Sequence, residues 1–400
     1  MPPKNRRHFT PDSIRHKPGQ REIWSKPSDR VILSRYLLPA VAVATLTKLL
    51  LAIFTLGSND VVTWTAFLNN IRQVGGANAY RLRDPYGVAL NHPPSMVHVL
   101  KFLGFLADTT HIPFSVLLRL PAIIADIGSV LLVWLFCTSL RQFNCSRTKV
   151  LALALCPISI LISGFHGNTD PVMVFFLLLA IYLVETEHLE KAGLAFGMAI
   201  NIKVVPLILV PTFFVYLRNY RSSLKFFGCA ALIILFCWMP YLAQEPVVII
   251  KNTLGYKGLV SSWGVSLLLQ VLNLSNSPIL LKLLIIGWAI AVPFWMKKRT
   301  ANLYTQVGVI IFSFFLLTPA FGVQYLAWGV PFVLSLELRW TLCYYVASGV
   351  FLFLLYNYWS HGNWYFAESH LEPSWNIASV VAGFVCWLLI GIIVQRFFTK

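Results

Sequence analysis

Charge is scarce in this chain. Only 12% of its 400 residues are Asp, Glu, Lys or Arg, and 15 acidic residues face 32 basic ones. Soluble domains carry about a quarter charged residues, so a large water-soluble helical protein is excluded as the expected class. No glycine-rich phosphate loop and no Asp-x-Asp pair occurs, which removes the usual signatures of nucleotide binding. No RNA- or DNA-binding motif accompanies the net charge of +17, and the basic residues sit at the ends of apolar runs. That placement speaks for membrane orientation and anionic headgroups, not nucleic acid. The seven cysteines (Cys137, Cys145, Cys156, Cys229, Cys237, Cys343 and Cys386) have no zinc spacing, so neither a structural metal nor disulfides are expected.

Apolar length is abundant. Hydrophobic residues make up 57% of the chain, with a mean hydropathy of +0.70. They form uninterrupted runs, polar only at their ends, of the length that crosses a bilayer, about 20 residues. In hydrocarbon every backbone amide needs an internal partner, so such runs are helices. The expected fold is an all-α polytopic membrane protein of about 11–13 transmembrane helices.

Residues 1–35 are polar and basic, with Lys4, Arg6, Arg7, Arg30 and Arg35, and form an expected cytoplasmic tail. Residues 36–396 then make one transmembrane domain, and 397–400 return to the cytoplasm. After a first span near 36–56 the apolar pattern stops, and 57–112 is expected as a large outer loop. Two amphipathic pieces within it, 61–74 and 95–106, have the pattern of interfacial helices. Treating the second as interfacial keeps Arg141, Arg147 and Lys149 inside, as the positive-inside rule requires. Later, Asn201-Ile202-Lys203 with Pro206 and Pro211 breaks an apolar run. Broken helices inside membranes usually line a cavity.

Charged groups in such a setting are costly and tend to serve function. Asp60, just past the first span, is placed either as a general base toward an acceptor hydroxyl or, with Asn59, as the N-cap of the following helix. Asp84 is the second carboxylate of that loop. Lys48, Arg119, Asp126 and Lys203 lie within apolar runs: Lys48 is free to snorkel to the surface, and Asp126 has the position of a structural partner to a neighbouring helix. Lys203, at the break, is a candidate phosphate ligand or half of a buried ion pair. His166, Asn168 and Asp170 cluster in a short outer loop suited to a hydroxylated sugar, or to a polar turn in which Asp170 caps the helix opened by Pro171. Lys251, Tyr256, Lys257 and Trp263 give a later outer loop both cations and aromatic faces.

The order of these features resembles the GT-C class of integral-membrane glycosyltransferases. Gly57-Ser58-Asn59-Asp60-Val61-Val62-Thr63-Trp64 is similar to that class's aspartate segment, and Asn91-His92-Pro93-Pro94-Ser95 to the Tyr-Pro-Pro element of the glucosyltransferases of asparagine-linked glycosylation, with His92 in place of tyrosine. Phe165-His166-Gly167-Asn168-Thr169-Asp170 is loosely similar to their His-Phe-Gln-Tyr-Asn element. Residues 119–126 resemble a helix common in bacterial members. Gln324-Tyr325-Leu326-Ala327-Trp328 resembles the Gln-Tyr-x-x-Trp element of polyprenyl-phosphate-mannose-dependent mannosyltransferases and of GPI mannosyltransferase I.

The resemblance implies transfer of one hexose, mannose first and glucose second, from polyprenyl phosphate to a hydroxyl of a lipid-linked or glycan acceptor. It implies inversion at the anomeric carbon, on the non-cytoplasmic face of a bacterial inner membrane or the endoplasmic reticulum. It further implies Asp60 as base with Asp84 second, Lys203, Lys251 and Lys257 as donor-phosphate groups, and His92, His166, Asn168, Asp170, Gln324 and Tyr325 about the sugar and acceptor. No organic cofactor is called for; the class has members with and without a divalent cation. A transporter or flippase, or a non-catalytic assembly subunit, would use the same broken helix differently, but no internal two-fold repeat is evident in the hydropathy.

Overall fold

The computed structural model describes residues 27–140, 146–255, 263–273, 278–298, 302–369 and 375–399. Most of the basic tail, part of the Arg141–Lys149 loop, and Tyr256 and Lys257 lie outside the described residues.

The chain is all-α and polytopic. Among the described residues seven helical stretches are long and apolar enough to cross a membrane: Arg35–Phe54, Phe114–Thr138, Arg147–His166, Tyr220–Leu242, Ile279–Lys297, Leu338–Trp359 and Ile377–Thr399. Shorter apolar stretches, Val205–Leu217, Leu303–Leu317 and Val323–Ser335, fall below that length. Pro206 and Pro211 lie within the first and Pro331 within the third, and the second is capped at Thr318, before Pro319.

Helix α1 (Pro27–Phe54) leads into a two-residue strand, β1 (Gly57–Ser58), and then α2 (Asn59–Val74). Helix α3 (Ser95–Thr110) follows a long turn, so the two amphipathic pieces expected in the loop are helices. Their buried faces recur at helical spacing: Val61, Trp64, Phe67, Leu68 and Ile71 in α2, Met96, Val97, Leu100, Leu103 and Gly104 in α3. Next come α4 (Phe114–Leu135), α5 (Arg147–Ala154) and α6 (Pro157–Ser159), the last running into a π-helical stretch, Ile160–His166, that ends at left-handed Gly167.

Helices α7 (Asp170–Glu185) and α8 (Leu189–Ile202) form a hairpin. Helix α8 stops at Lys203, whose extended backbone breaks the run at the expected place. A 3₁₀ turn (Val205–Leu209), α9 (Val210–Leu217) and α10 (Tyr220–Leu242) continue the chain. Helix α8 lies against both α7 and α10. The close approach to α10 needs Gly193 and Gly197, because a Cβ at either would strike the backbone of Phe226 or Ala230.

The remainder comprises α11 (Pro246–Leu254), α12 (Gly264–Val271), α13 (Pro278–Lys298), α14 (Leu303–Leu317), α15 (Leu326–Phe332), α16 (Leu338–Trp359), β2 (Phe366–Ala367) and α17 (Ile377–Thr399). Among the described residues the sheet is only β1 paired in parallel with β2, Gly57 beside Phe366 and Ser58 beside Ala367. That pairing ties the start of the first loop to the segment after α16.

Buried charge is held by short polar clusters. Lys48 does not snorkel: its Nζ lies 2.7 Å from Asp126 Oδ2 and 2.8 Å from Ser159 Oγ. Asp126 also accepts from Ser159 and Ser163, so this carboxylate is the structural partner expected of it. Arg119 is fully buried and donates to the carbonyls of Leu51, Thr55, Leu56 and Gly164 and to the Thr55 hydroxyl. It thereby clamps the end of α1 against the π-helical stretch. The expectation of free cysteines fails at one position. Cys137 is disulfide-bonded, while Cys156, Cys229, Cys237, Cys343 and Cys386 are free.

Candidate active site

The N-terminus of α2 builds the first wall. Neither Asn59 nor Asp60 caps this helix. Ser58 does, its Oγ accepting from the Asp60 amide at 3.3 Å. The same hydroxyl donates to the His166 carbonyl at 2.7 Å, fastening α2 to the end of the π-helical stretch. Asn59 Nδ2 donates to the Ser369 carbonyl at 3.2 Å and Ser369 Oγ returns a bond to Asn59 Oδ1 at 2.8 Å. With the cap role taken by Ser58, the Asp60 side chain is left to face elsewhere.

It faces His166 and Asn168. Asn168 Nδ2 donates to Asp60 Oδ2, while Asn168 Oδ1 accepts from the Thr169 amide at 2.6 Å, which fixes the amide's orientation. His166 Nε2 lies 3.2 Å from Asp60 Oδ2, off the line of a good hydrogen bond. The His166 ring stacks on Tyr356, centroids 5.6 Å apart and planes within 15°. Burial alone would raise the Asp60 pKa, but the nearby His166 first, then the Asn168 amide and the more distant Lys203, outweigh it, and the net shift is downward. Asp60 is therefore ionised near neutrality. Its side chain keeps 27% of its surface accessible against 3% for His166, so of the pair it is Asp60 that a substrate can reach.

These residues line a cavity of about 530 Å³. Asp60, His92, His166, Asn168, Lys203, Gln324 and Tyr325, all singled out in the sequence, are on its walls. His92 packs on Trp64, ring centroids 4.4 Å apart. Its Nδ1 is buried without a partner. Burial first, then the charge of Lys203, pushes the imidazole pKa down to about 3, against a small opposite pull from Asp60. His92 is a neutral ring at any working pH.

Lys203 is paired. Its Nζ lies 2.9 Å from both carboxylate oxygens of Asp170. Asp170 is fully buried in the first turn of α7 and also accepts from Trp328 Nε1. It does not cap the helix, since the N-cap position belongs to Thr169. The Lys203 ammonium sits over the rings of Tyr325 at 4.9 Å and Trp328 at 5.5 Å. In the Gln-Tyr-x-x-Trp element, then, the tyrosine and tryptophan support the lysine–carboxylate pair, while Gln324 lies on the cavity wall.

Other sequence candidates lie elsewhere. Asp84 does not line the cavity. It organises its own turn, accepting from the amides of Tyr86 and Val88 and from Thr63 Oγ1. Lys251 is exposed on α11 away from the walls, and Lys257 is outside the described residues. Sequence reasoning missed Lys282 on α13, and also Trp64, Tyr86, Thr318 and Trp359, which all line the cavity. A lysine at the head of an apolar run looks like any membrane-boundary lysine, so Lys282 gave no separate signal. Among the described residues no three His, Cys, Asp or Glu side chains converge to hold a metal ion.

Fold and site together define a polytopic helical membrane protein with one ionised carboxylate presented to an aromatic-lined cavity. Residues 162–254 match the mannosyltransferase (PIG-M) family. The chain is also 35% identical over 104 residues to GPI mannosyltransferase 1 of Kluyveromyces lactis, a match covering 24% of this chain and 26% of that protein. It thus spans about a quarter of that relative's length. Both matches are to mannosyltransferases. The segment matched by the family, 162–254, carries the His166–Asp170 cluster and the break at Lys203, but not Asp60 or Gln324.

Proposed function

We propose that this chain transfers mannose from a polyprenyl-phosphate donor to a hydroxyl of a lipid-linked or glycan acceptor, with inversion, on the non-cytoplasmic face of the endoplasmic reticulum membrane. The observation that carries the reading is the Asp60 carboxylate, ionised, reachable and held by His166 and Asn168 on the wall of an aromatic-lined cavity.

In the proposed step Asp60 accepts the proton of the acceptor hydroxyl as that oxygen bonds to the anomeric carbon. The bond from that carbon to the phosphate oxygen breaks, and its electron pair leaves with the polyprenyl phosphate. Inversion requires base and leaving group on opposite sides of the sugar, which a cavity with the carboxylate on one wall can provide. The half-buried ring of Tyr325 offers an apolar face to a pyranose, with Trp64 and Trp328 packed behind the wall. The similarity to mannosyltransferases favours mannose over glucose.

The test is direct. Purified protein is incubated with polyprenyl-phosphate [³H]mannose, or the glucose equivalent, and a mannolipid acceptor, and release of polyprenyl phosphate is followed. Turnover with the mannose donor that is lost by at least about a hundredfold in Asp60→Asn is expected for a general base. Full activity in the folded variant removes Asp60 from the mechanism.

A further inference from the structure

A lipid phosphate needs a cation that is not already spoken for. Lys48 is held by Asp126 and Ser159, the two terminal nitrogens of Arg119 are engaged by backbone carbonyls, and Lys203 is neutralised by Asp170. Among the described residues, Lys282 is the cation on the cavity wall with no carboxylate in ion-pair distance.

Its surroundings are those of a lipid portal. Ile285 and Ile286, one turn further along α13, share the Lys282 face and also line the cavity. The 3₁₀ turn Val205–Leu209, which packs on α13 and α14, supplies Leu207 and Ile208 to the same cavity. Leu207 and Ile286 line the cavity and are also 42% and 53% exposed. Residues that do both mark a place where the cavity opens sideways. Outside that opening α13 presents Ile279, Leu283 and Leu284, all exposed and apolar. An apolar side opening with one unpaired cation fits an amphiphile that has an anionic head and a long hydrocarbon tail.

We infer that Lys282 binds the phosphate of the polyprenyl donor, with the prenyl chain leaving the cavity between α13 and the Val205–Leu209 turn. This rests on the transferase reading above and names the group that reading lacks. The balance is simple. The donor phosphodiester carries one negative charge; after cleavage the leaving phosphomonoester carries two, and the proton has gone from acceptor hydroxyl to Asp60. The charge that develops on the phosphate is met by Lys282. Lys203, fixed in place by Asp170, lines the sugar region and does not carry the leaving group.

The experiment uses the full-length protein in detergent and reads its thermal unfolding against farnesyl phosphate, farnesol, inorganic phosphate and phosphatidic acid, in wild type, Lys282→Gln and Lys282→Arg. Protection by farnesyl phosphate alone is expected. Its half-saturating concentration should rise about tenfold in Lys282→Gln, the size of one lost charge-assisted bond, and recover in Lys282→Arg. The KM for polyprenyl-phosphate mannose should follow the same order. Wild-type protein that neither responds to farnesyl phosphate nor turns over the donor overturns the transferase reading itself. Wild-type protection that Lys282→Gln keeps in full overturns only the role of Lys282. Equal, Lys282-dependent protection by phosphatidic acid or inorganic phosphate reduces the site to a general anion contact and overturns it as a donor site.

Discussion

The Nζ of Lys203 stands 2.9 Å from each carboxylate oxygen of Asp170, a residue with no exposed surface. The cation at the helix break is half of a bidentate pair and is roofed by Tyr325 and Trp328. Removing one partner leaves the other charge buried and alone, which costs about 3–5 kcal/mol. Lys203→Met and Asp170→Asn are each expected to lower the unfolding midpoint strongly. The double variant, in which no charge remains, should recover a good part of the loss. A double-mutant cycle on thermal unfolding in detergent checks this, and additive losses would mean that the pair is not coupled.

The Asp60 environment makes a signed pH prediction. Its folded pKa lies below the ordinary 3.8. The stability it contributes is therefore present above that value and lost as pH falls through the lower folded value. As base, it should keep kcat/KM level through the mildly acidic range, with the acidic limb below 3.8. In His166→Phe the largest lowering influence disappears while burial still pushes upward, so the limb should move to higher pH. Asn168→Ala should shift it the same way by less. A limb that stays in place in His166→Phe would show that another group controls the profile.

Much of the fold was legible because membrane helices are written in uninterrupted apolar runs, and the two loop helices in buried residues at helical spacing. The break at Lys203 was legible from Asn201 and Lys203 within an apolar run, with Pro206 following. The convergence of Asp60 with His166 and Asn168 was not readable from spacing, since they lie more than a hundred positions apart; only the order of short motifs hinted at it. Asp84 stood second to Asp60 as a carboxylate of the same loop. Backbone amides separate them, because Tyr86 and Val88 consume the Asp84 carboxylate while the Ser58 hydroxyl frees Asp60 from capping. Lys203 stood open to two readings, phosphate ligand or half of a buried ion pair, and its partner Asp170 could be seen only in three dimensions.

Arg119 gives a sharp substitution test. Its two terminal nitrogens reach five oxygens around the end of α1 and the π-helical stretch, at separations of 2.5–3.1 Å. A lysine retains the charge but has one nitrogen and no planar fork. Arg119→Lys should therefore destabilise by about 2–4 kcal/mol, since several buried carbonyls lose their donors. Activity should fall along with stability, because the clamp positions the turn from which α2 and Asp60 begin. Thermal unfolding together with kcat at low temperature checks this. Unchanged stability would mean that water replaces the guanidinium.

The α8–α10 contact supplies a prediction independent of the chemistry. Gly193 and Gly197, four apart, lie on one face of α8, where the α10 backbone passes close enough that any side chain would collide. A Cβ at Gly193 would meet the Phe226 carbonyl, which is backbone and cannot swing aside as a flexible side chain would. At Gly197 the Ile233 side chain and the Ala230 carbonyl stand in the way. Gly193→Leu should therefore push the helices apart and carry Lys203, at the end of α8, away from Asp170. The cost is that of overpacking, about 1–3 kcal/mol or more, and helix propensity works in the other direction by only about 1 kcal/mol. Gly228, on α10 with open space around its Cβ position, is the matched control, and Gly228→Ala should be neutral or mildly stabilising. Yield and unfolding midpoint of the two variants in detergent decide it. Equal behaviour would show that the glycines on α8 are not what allows the close approach.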